Sequence, residues 1–447
     1  MPAAGRGPAQ EAVTDRPARV WQTAYRAAWV HPVSALAIAD GAVIVEGDRI
    51  AWVGPAAQAP GLAQLRVVDL GDVALTPGLV NAHTHLDLTV MRGLLDGTAF
   101  FDWIRGIVAA RAQLNAAETL DSARLGAVEA LEAGITTVAD TSPTTASLEA
   151  MAELGLRGTA YLEAFGPDPR QAEGSLAALR SLVAGAASFA TPLQRLGVSP
   201  HAPYSVSDEL YRAVADWARA KGLPVATHVA ESEAEQALVT KGGGMFATFL
   251  EGRGIPVAPR ARTPVALLGT AGVLGPHTLA IHCVRCDADD VAMLRSTGTA
   301  VATCPASNAY FGHGRAPVAA LRAAGVRVGI GTDSMASNTC MDLRVEAETA
   351  GQDRPWLAAA TMDGAAALGL GDRIGRLEPG YCADLAAFPL APGTRGEPAG
   401  APALLTVVGG VERQRAGRVA YDADALRTRT GALARRLREW RAREARP

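Results

Sequence analysis

The middle of the chain alternates between short apolar runs and longer stretches with helical periodicity. In the long stretches, such as 120–133 and 208–222, apolar residues recur every three or four positions. A buried parallel strand has a nearly continuous apolar run, whereas the helix that follows it is amphipathic. Eight such runs occur, at 79–86, 135–141, 158–165, 196–203, 224–230, 278–284, 300–304 and 326–334. The pattern therefore predicts an α/β fold, a (β/α)8 TIM-like barrel that spans 73–371.

The two ends of the chain, 20–72 and 372–422, show a different pattern. Apolar and polar residues alternate on either side of the Gly47-Asp48 pair, which is typical of a β-hairpin. A matching set of short segments lies near the other end, at 383–388, 404–410 and 416–421. Neither set can bury a sheet face alone, so we expect both ends to form one small β-sandwich domain with the barrel inserted between them.

Three segments outside the predicted strands remain. Residues 1–19 lack the apolar core of a signal sequence and are predicted to be a disordered tail. The glycines 242–244 open the segment 241–272, which we expect to contain a mobile loop. The segment 423–447 is rich in arginine and is predicted to be a C-terminal helix. A docked helix is favoured over a nucleic-acid arm, because four apolar residues lie along one face: Leu426, Leu433, Leu437 and Trp440.

Composition narrows the range of partners. A net charge of -3 over 447 residues gives no reason to expect nucleic acid or a membrane surface as partner, and no apolar run reaches the roughly 18 residues that span a bilayer. The five cysteines are an odd number, and Cys283-x-x-Cys286 has no second pair to complete a zinc site. We therefore expect reduced thiols and a cytoplasmic protein, with a homodimer as an open alternative to a monomer.

Histidines and acidic residues occur where the predicted strands end. His83 and His85 are two positions apart in a strand, so their side chains point to the same face. A (β/α)8 barrel has its active site at the C-terminal ends of its strands. We therefore predict that these two histidines converge with the polar residues that end other strands, namely His201, His228, Glu231, His282 and Asp333. Three other histidines lie in loops or flanking segments and are expected to be structural: His31, His277 and His313.

The converging set contains the ligand types of a divalent metal ion. Zinc and iron(II) accept imidazole and carboxylate groups and leave a position for water. A bridged pair of metals would need a modified lysine at the end of the fourth strand, and the only lysines are Lys221 and Lys241. We therefore expect one divalent ion per chain, zinc with iron as the alternative. The predicted ligands are His83, His85, His228 and Asp333.

The remaining side chains suggest hydrolysis at an amidine-like carbon. Such a reaction needs a proton for the ring nitrogen and another for the leaving ammonia, and Glu231 is the candidate general acid. Asp333 is expected to accept the proton of the attacking water while it remains a ligand. His282 is expected to hydrogen-bond the nucleophile and stabilise its developing charge. His201 is a candidate substrate contact.

Six stretches are similar to known sequences: PGLVNAHTH at 77–85, SPHAPY at 199–204, HVAE at 228–231, HC at 282–283, CPASN at 304–308 and GTDSMASN at 331–338. They resemble the amidohydrolase superfamily and, within it, the cytosine/adenosine deaminase-like and chlorohydrolase-like branch. The resemblance extends from about residue 20 to residue 421. It implies a metal-dependent hydrolase on the fold inferred above, and it is far less specific for the substrate.

The same resemblance implies a nucleoside substrate. The nearest relatives deaminate methylthioadenosine and adenosylhomocysteine, or 6-amino-6-deoxyfutalosine of menaquinone biosynthesis. The first group usually has a ribose-binding glutamate shortly before a tryptophan, where this chain has Phe101 before Trp103. This difference favours 6-amino-6-deoxyfutalosine. Its aromatic acid end would face Phe101 and Trp103 and pair with Arg92 or Arg105, and Ser334 is a further predicted substrate contact.

Other interpretations stay open. A methylthioadenosine/adenosylhomocysteine deaminase would use the same site, and so would a triazine hydrolase that expels chloride or an alkylamine. Release of ammonia rather than chloride separates the deaminases from a chlorohydrolase. A scaffold with a structural metal is disfavoured because the proton shuttle Glu231 is present beside all four predicted ligands.

Overall fold

The computed structural model describes residues 22–351 and 354–444. The predicted tail 1–19 and the last predicted helical residues, 445–447, lie outside the described residues. In chain order the strands are β1 (Gln22–Val30), β2 (Ile38–Glu46), β3 (Arg49–Pro55), β4 (Arg66–Asp69), β5 (Val73–Pro77), β6 (Leu79–His85), β7 (Ile135–Ser142), β8 (Arg157–Ala164), β9 (Gln194–Pro200), β10 (Val225–Val229), β11 (Thr278–His282), β12 (Ala300–Thr303), β13 (Val328–Ile330), β14 (Asp333–Ser334), β15 (Leu385–Pro389), β16 (Leu405–Val408), β17 (Val411–Arg415) and β18 (Arg418–Val419).

The α-helices lie mainly between the strands of the barrel. They are α1 (Phe100–Arg111), α2 (Ala116–Glu132), α3 (Ala146–Leu154), α4 (Ala172–Ala186), α5 (Asp208–Lys221), α6 (Glu233–Lys241), α7 (Met245–Glu251), α8 (Pro264–Thr270), α9 (Ala288–Thr297), α10 (Pro305–Tyr310), α11 (Val318–Ala323), α12 (Leu343–Ala350), α13 (Trp356–Ala358), α14 (Gly364–Ala367) and α15 (Ala423–Glu444). Among the described residues, no helix combines the length and the apolar character needed to cross a membrane.

Local sequence signals set several helix ends. Helix α5 begins after Ser207, whose side chain accepts a hydrogen bond from the amide of Leu210, and ends at Gly222 with a φ of 65°. A serine N-cap and a left-handed glycine C-cap are both preferred at these positions. Helix α2 begins with a capping box between Asn115 and Glu118. These helices therefore form where their own sequences favour a start and a stop.

Strands β6 to β14 form one parallel sheet that closes into the predicted barrel. Strands β6 to β13 pair with their neighbours in chain order. The last strand has two parts: β13 pairs with β12, and β14 returns to pair with β6 through Asp333 beside Thr84. The structure thus confirms a (β/α)8 barrel, although the single run predicted at 326–334 is interrupted.

The interruption at Gly331 reflects a close approach between the last and first strands. A Cβ atom at this position would lie only 2.5 Å from the backbone nitrogen of His83. Such a contact is too short for any side chain, so a residue without Cβ lets the eighth strand pass directly over the first. This crossing places Asp333 beside the two histidines of β6.

The remaining nine strands form a mainly antiparallel sheet built from both ends of the chain. Strand β5 pairs with β1 and β15 in this sheet, so the barrel begins after Pro77 and not at residue 73. The hydroxyl of Tyr25 in β1 donates to Glu412 in β17 at 3.2 Å, although four strand positions, about 19 Å in a flat sheet, separate these strands. The sheet is therefore folded over into the predicted small β-sandwich.

Helix α15 docks on the barrel. Its apolar stripe is buried through Leu426, Leu433 and Leu437, and the last two share an apolar cluster with Trp103 of α1. Three of its arginines, each about half exposed, pair with acidic residues of α2. These pairs are Arg427 with Glu132, Arg429 with Asp121 and Arg436 with Glu118.

A buried ion pair joins the two domains. Arg157 at the start of β8 donates to both carboxylate oxygens of Asp384, at 2.6 and 3.0 Å, and both side chains are buried. Asp384→Ala is expected to lower the free energy of unfolding by about 3 to 5 kcal/mol, because it leaves the guanidinium buried without its partner. Urea denaturation at equal protein concentration measures this loss.

The matched control is the exposed pair of Asp216 and Arg219 at 2.8 Å. Asp216→Ala should change stability by about 1 kcal/mol or less, because solvent screens an exposed pair. If both variants unfold at the same urea concentration, the joint between the domains does not depend on Asp384.

Candidate active site

Five barrel strands bring histidines and an acidic residue to one face of the barrel. These residues are His83 and His85 from β6, His201 just after β9, His228 from β10, His282 from β11 and Asp333 from β14. The ring centroids of His83 and His85 lie 4.8 Å apart, and those of His83 and His228 lie 5.0 Å apart. The structure therefore brings together the side chains that the sequence places at the strand ends.

The backbone turns sharply where these strands end. The φ angles of Ala230, His282, Cys283 and Asp333 are 52°, 72°, 49° and 55°. Residues with a Cβ atom rarely adopt this left-handed region, and such strain clusters at functional sites. The packing of the barrel mouth holds these residues in conformations that they would not favour alone.

His83 provides a test for a metal ion. Its imidazole is fully buried, and neither ring nitrogen hydrogen-bonds to any residue that the structure describes. Its Nε2 lies 3.4 Å from Asp333 Oδ1, and Nε2 of His85 lies 3.5 Å from the same oxygen. Two ligands of one tetrahedral ion, with bonds of about 2.1 Å, are about 3.4 Å apart. A buried polar group without a partner is costly, so this cluster fits a divalent ion.

Backbone carbonyls orient two other histidines towards the same point. Nδ1 of His85 donates to the carbonyl oxygen of Thr141 at 2.8 Å, and Nδ1 of His228 donates to that of His201 at 3.1 Å. Each Nε2 is then unprotonated and available to a metal. Burial, with help from neighbouring histidines, lowers the pKa of both imidazoles well below its usual value. Both rings are therefore neutral, which is the form that binds metals.

The carboxylate of Asp333 is held at both oxygens. Oδ1 accepts from the amide of Ser334 at 2.7 Å, and Oδ2 accepts from the hydroxyls of Ser307 at 2.6 Å and Ser337 at 3.2 Å. Burial acts to raise the pKa of Asp333, but contact with His83 and the other nearby histidines outweighs burial and holds this pKa well below its usual value. Asp333 is therefore an ionised, fixed oxygen donor.

Glu231 lines the same cavity as the histidines. The amides of Ala230 and Glu231 donate to the carboxylate of Glu235, both at 2.8 Å, which fixes the loop after β10. Oε1 of Glu231 is 3.7 Å from Nε2 of His282. Burial, and then the charges of Asp333 and Glu235, raise the pKa of Glu231 well above its usual value. A protonated carboxyl group in this position suits a general acid.

His282 is oriented by a side chain. Its Nδ1 lies 3.0 Å from Oδ1 of Asn308, to which it donates when that oxygen is the acceptor. Its Nε2 is then an acceptor. Burial lowers the pKa of His282 to about 4, so the ring is neutral. Its nitrogen lies within 4.8 Å of those of His83 and His228, which places it directly beside the candidate ligand set.

His313 corrects one expectation from the sequence. It was expected to be structural, yet its Nε2 lies 3.8 Å from Oε1 of Glu231. Its ring packs edge-on against Phe100, with centroids 4.6 Å apart, and stacks on Phe311. The signal that could have revealed it is its position five residues after the CPASN stretch, which ends at Asn308.

An apolar cavity of about 560 Å³ opens from the histidines towards solvent. Most predicted substrate contacts line it: Phe101, Trp103, Arg105, His201 and Ser334. Trp103 also donates to the carbonyl oxygen of Ala336 at 3.3 Å and packs in the cluster with α15. It therefore contributes both to the cavity wall and to the support of that wall.

Arg92 is the exception among the predicted contacts. Its guanidinium binds the carboxylate of Glu129 in α2, and among the described residues it does not line the cavity. Arg105 lines the cavity mouth, exposed, with its guanidinium 6.0 Å from the ring centroid of Phe101. The mouth has a second exposed arginine, Arg253, at 5.6 Å from the ring of Phe249.

Helix α7 forms part of the cavity wall in a region that was expected to be a mobile loop. Phe246, Phe249 and Leu250 of this helix line the cavity. The ring of Phe246 stacks on Tyr204 with centroids 4.3 Å apart. The glycines 242–244 separate two helices, with Gly242 ending α6 in a left-handed conformation, and irregular backbone follows α7 at 252–263.

Sequence reasoning also missed Glu163 and Arg111. Glu163 lies near the end of β8 and Arg111 at the end of α1, and both line the cavity. Burial raises the pKa of Glu163 to about 8, although the guanidinium of Arg111 acts in the opposite direction. The position of Glu163 at the end of a predicted strand was the available signal.

Comparison with known proteins agrees with this geometry. Residues 74–414, more than half of the chain, match the amidohydrolase family. The chain belongs to this family. This amidohydrolase is 33% identical over 364 residues to the 5-methylthioadenosine/S-adenosylhomocysteine deaminase of Symbiobacterium thermophilum, covering 77% of this chain and 80% of that protein. It is also 33% identical over 349 residues to the aminodeoxyfutalosine deaminase of Deinococcus radiodurans, covering 75% and 81%.

A solved structure extends the comparison to the whole fold. This amidohydrolase matches an adenosine deaminase from Xanthomonas campestris with bound zinc at a TM-score of 0.76 and 26% identity, over 94% of this chain and 99% of that one. The family and its relatives confirm that the amidohydrolase is a hydrolase acting on carbon–nitrogen bonds. Its group of histidines and an aspartate resembles a metal site.

Proposed function

We propose that this amidohydrolase removes the 6-amino group of a 6-aminopurine nucleoside by hydrolysis and releases ammonia. The position of Glu231 carries the proposal, because a buried carboxyl group with a raised pKa faces the same cavity as three of the four candidate metal ligands, His85, His228 and Asp333. Deamination of a cyclic amidine needs an activated water and a proton donor together. The relatives named as deaminases of adenosine-like nucleosides support this choice.

We infer that one divalent ion binds per chain, with zinc favoured over iron. Its ligands would be His83, His85, His228 and Asp333. Three neutral nitrogens and one carboxylate suit either metal. When bound, the ion lowers the pKa of a coordinated water towards about 7, which makes hydroxide available at neutral pH.

Three side chains would take part in the proton transfers. Asp333 would accept one proton from the attacking water, and Glu231 would donate its own proton to the purine nitrogen beside C6. The proton on Asp333 would then pass to the amino group, which leaves as ammonia, while Glu231 takes up the hydroxyl proton of the tetrahedral intermediate. His282, with Nδ1 towards Asn308, presents an acceptor nitrogen, so we assign it to hydrogen-bond and orient the attacking water.

The residues at the far end of the cavity favour a nucleoside substrate whose 5′ substituent is aromatic and anionic. Phe101, Phe246 and Phe249 offer ring faces and edges there, and Arg105 and Arg253 lie at the mouth. Aromatic groups pack favourably against such rings, and a guanidinium pairs well with a carboxylate. The aromatic acid of 6-amino-6-deoxyfutalosine, an intermediate of menaquinone biosynthesis, has this combination, so we propose it as the substrate.

The substrate proposal predicts a preference of at least about tenfold in kcat/KM for aminodeoxyfutalosine, equivalent to roughly 1.4 kcal/mol of transition-state discrimination. The comparison uses adenosine, methylthioadenosine and adenosylhomocysteine with the same metal-loaded preparation, and ammonia release is the readout. Arg253→Met should reduce the preference by weakening the contact with the carboxylate, while activity on adenosine stays nearly unchanged.

A different order of the kcat/KM values would change the proposed substrate but not the proposed deamination. Preference for methylthioadenosine or adenosylhomocysteine would favour the activity of the Symbiobacterium relative. Chloride release from a chlorotriazine, without ammonia release from any nucleoside, would overturn deamination itself.

A further inference from the structure

Two buried polar groups in the cavity wall have no part in the proton transfers described above. Oε1 of Glu163 is buried and accepts no hydrogen bond from the described residues, and Glu163 is only 6% exposed. Nε of Arg111 is likewise buried and donates to none of the residues in 22–351 or 354–444. Both residues line the same cavity, whose other walls are mostly apolar. Two side chains that line the substrate space thus have hydrogen-bonding capacity that no described residue fills.

The position of Arg111 is fixed from behind. Its terminal nitrogen donates to both carboxylate oxygens of Asp87, at 3.2 and 3.0 Å. Asp87 is buried and also accepts from the hydroxyl of Ser142 at 3.3 Å. The guanidinium is therefore held rigidly at the wall, and its N–H groups that do not bind Asp87 donate to no described residue and can serve a ligand. A preorganised donor loses little conformational entropy when a ligand binds.

We propose that Glu163 and Arg111 bind the vicinal hydroxyl groups of the substrate's ribose, an inference that rests on the proposed nucleoside deamination. Each hydroxyl both donates and accepts a hydrogen bond. The diol would donate to a carboxyl oxygen of Glu163 and accept from the guanidinium of Arg111. This arrangement pairs polar groups that the described residues leave unpaired, and a hydrogen bond from the charged guanidinium is of the stronger kind.

A second metal ion at Glu163 is the main alternative, and the local contacts argue against it. Glu163, His201 and His228 have ligand atoms within 4.8 Å of one another. However, Nδ1 of His228 is occupied by a backbone carbonyl at 3.1 Å, and its other nitrogen is already assigned to the first ion, so His228 has no nitrogen left for a second one. The positive charge of Arg111 also acts on Glu163. A cation would be repelled there, whereas a neutral diol would not.

The test compares Glu163→Met, which has a similar length and no acceptor oxygen, with the wild type on four substrates: adenosine and its 2′-deoxy, 3′-deoxy and 2′,3′-dideoxy analogues. Wild-type kcat/KM should fall at least about tenfold from adenosine to the dideoxy analogue. In the variant, kcat/KM for adenosine should fall roughly 10- to 100-fold, while the value for the dideoxy analogue should change less than about threefold. The discrimination between the two nucleosides should therefore largely disappear.

Two further measurements exclude a structural explanation. Metal content and thermal midpoint of Glu163→Met should match those of the wild type, and Glu173→Met, at an exposed position on α4, should keep wild-type discrimination. If Glu163→Met discriminates as well as the wild type, or if it loses metal, the diol site is wrong while deamination stands. If the wild type releases ammonia from no 6-aminopurine nucleoside, the proposed function itself fails.

Discussion

Glu231→Gln is expected to keep its divalent ion and to lose turnover by about 10²- to 10⁴-fold, the usual contribution of general acid–base catalysis. The amide has the same shape as the carboxyl group but cannot pass a proton to the purine nitrogen. The ligand set is untouched, because Glu231 approaches His282 and His313 and not the oxygen of Asp333 that faces His83 and His85. The measurement is kcat for ammonia release at equal metal content.

The control for this variant is Glu233→Gln, two residues along the chain. Glu233 is exposed in the first turn of α6, so its loss should leave turnover within about twofold, the range of surface substitutions without a specific contact. Turnover of Glu231→Gln near the wild-type value, with metal in place, would assign the proton transfers to another group.

His83→Ala should lose the metal and the activity together. His83 is fully buried, and its nitrogens hydrogen-bond to no residue within the described ranges, so its main favourable interaction would be with the ion. Removing one of four ligands weakens metal binding strongly, because the remaining site cannot complete a tetrahedral shell. Metal analysis after gel filtration should give about one equivalent for the wild type and a large loss for the variant.

His277→Ala is the matched histidine control. His277 is exposed and lies beside the N-terminal ends of the strands, away from the candidate ligands. Its substitution should leave metal content and turnover unchanged. Two tightly bound equivalents in the wild type would contradict the single-metal proposal, and full metal content in His83→Ala would remove His83 from the ligand set.

The barrel could be predicted because its signals are local. A buried parallel strand is apolar along its length, so each strand can be recognised from its own residues. For example, the run predicted at 135–141 is the strand Ile135–Ser142 in the structure. The eighth strand was predicted as one run, yet it divides into β13 and β14. The cause is the passage of Gly331 over His83, a contact between residues far apart in sequence that neither segment shows by itself.

Part of the site could be inferred for a related reason. The pair His83 and His85 has the spacing of one strand face, and the barrel topology brings all strand ends to one rim. Their meeting with Asp333 therefore followed from strand order. No comparable rule predicts which residues of helices and loops line the cavity. Arg92 was a candidate and pairs with Glu129, whereas Arg111, four residues after Ile107 on the inner face of α1, lines the cavity.

The sequence by itself determined the barrel strands, the sandwich from both chain ends and the set of residues at the strand ends, since each depends on periodicity or on strand order. Only the tertiary structure decided which side chains form the cavity wall. Helix α7 and the pair of Glu163 and Arg111 reach it, and His313 approaches Glu231, through packing between segments distant in the chain. The physical reason is that a strand is recognised by its own pattern of burial, whereas a cavity is defined by what several separate segments leave open between them.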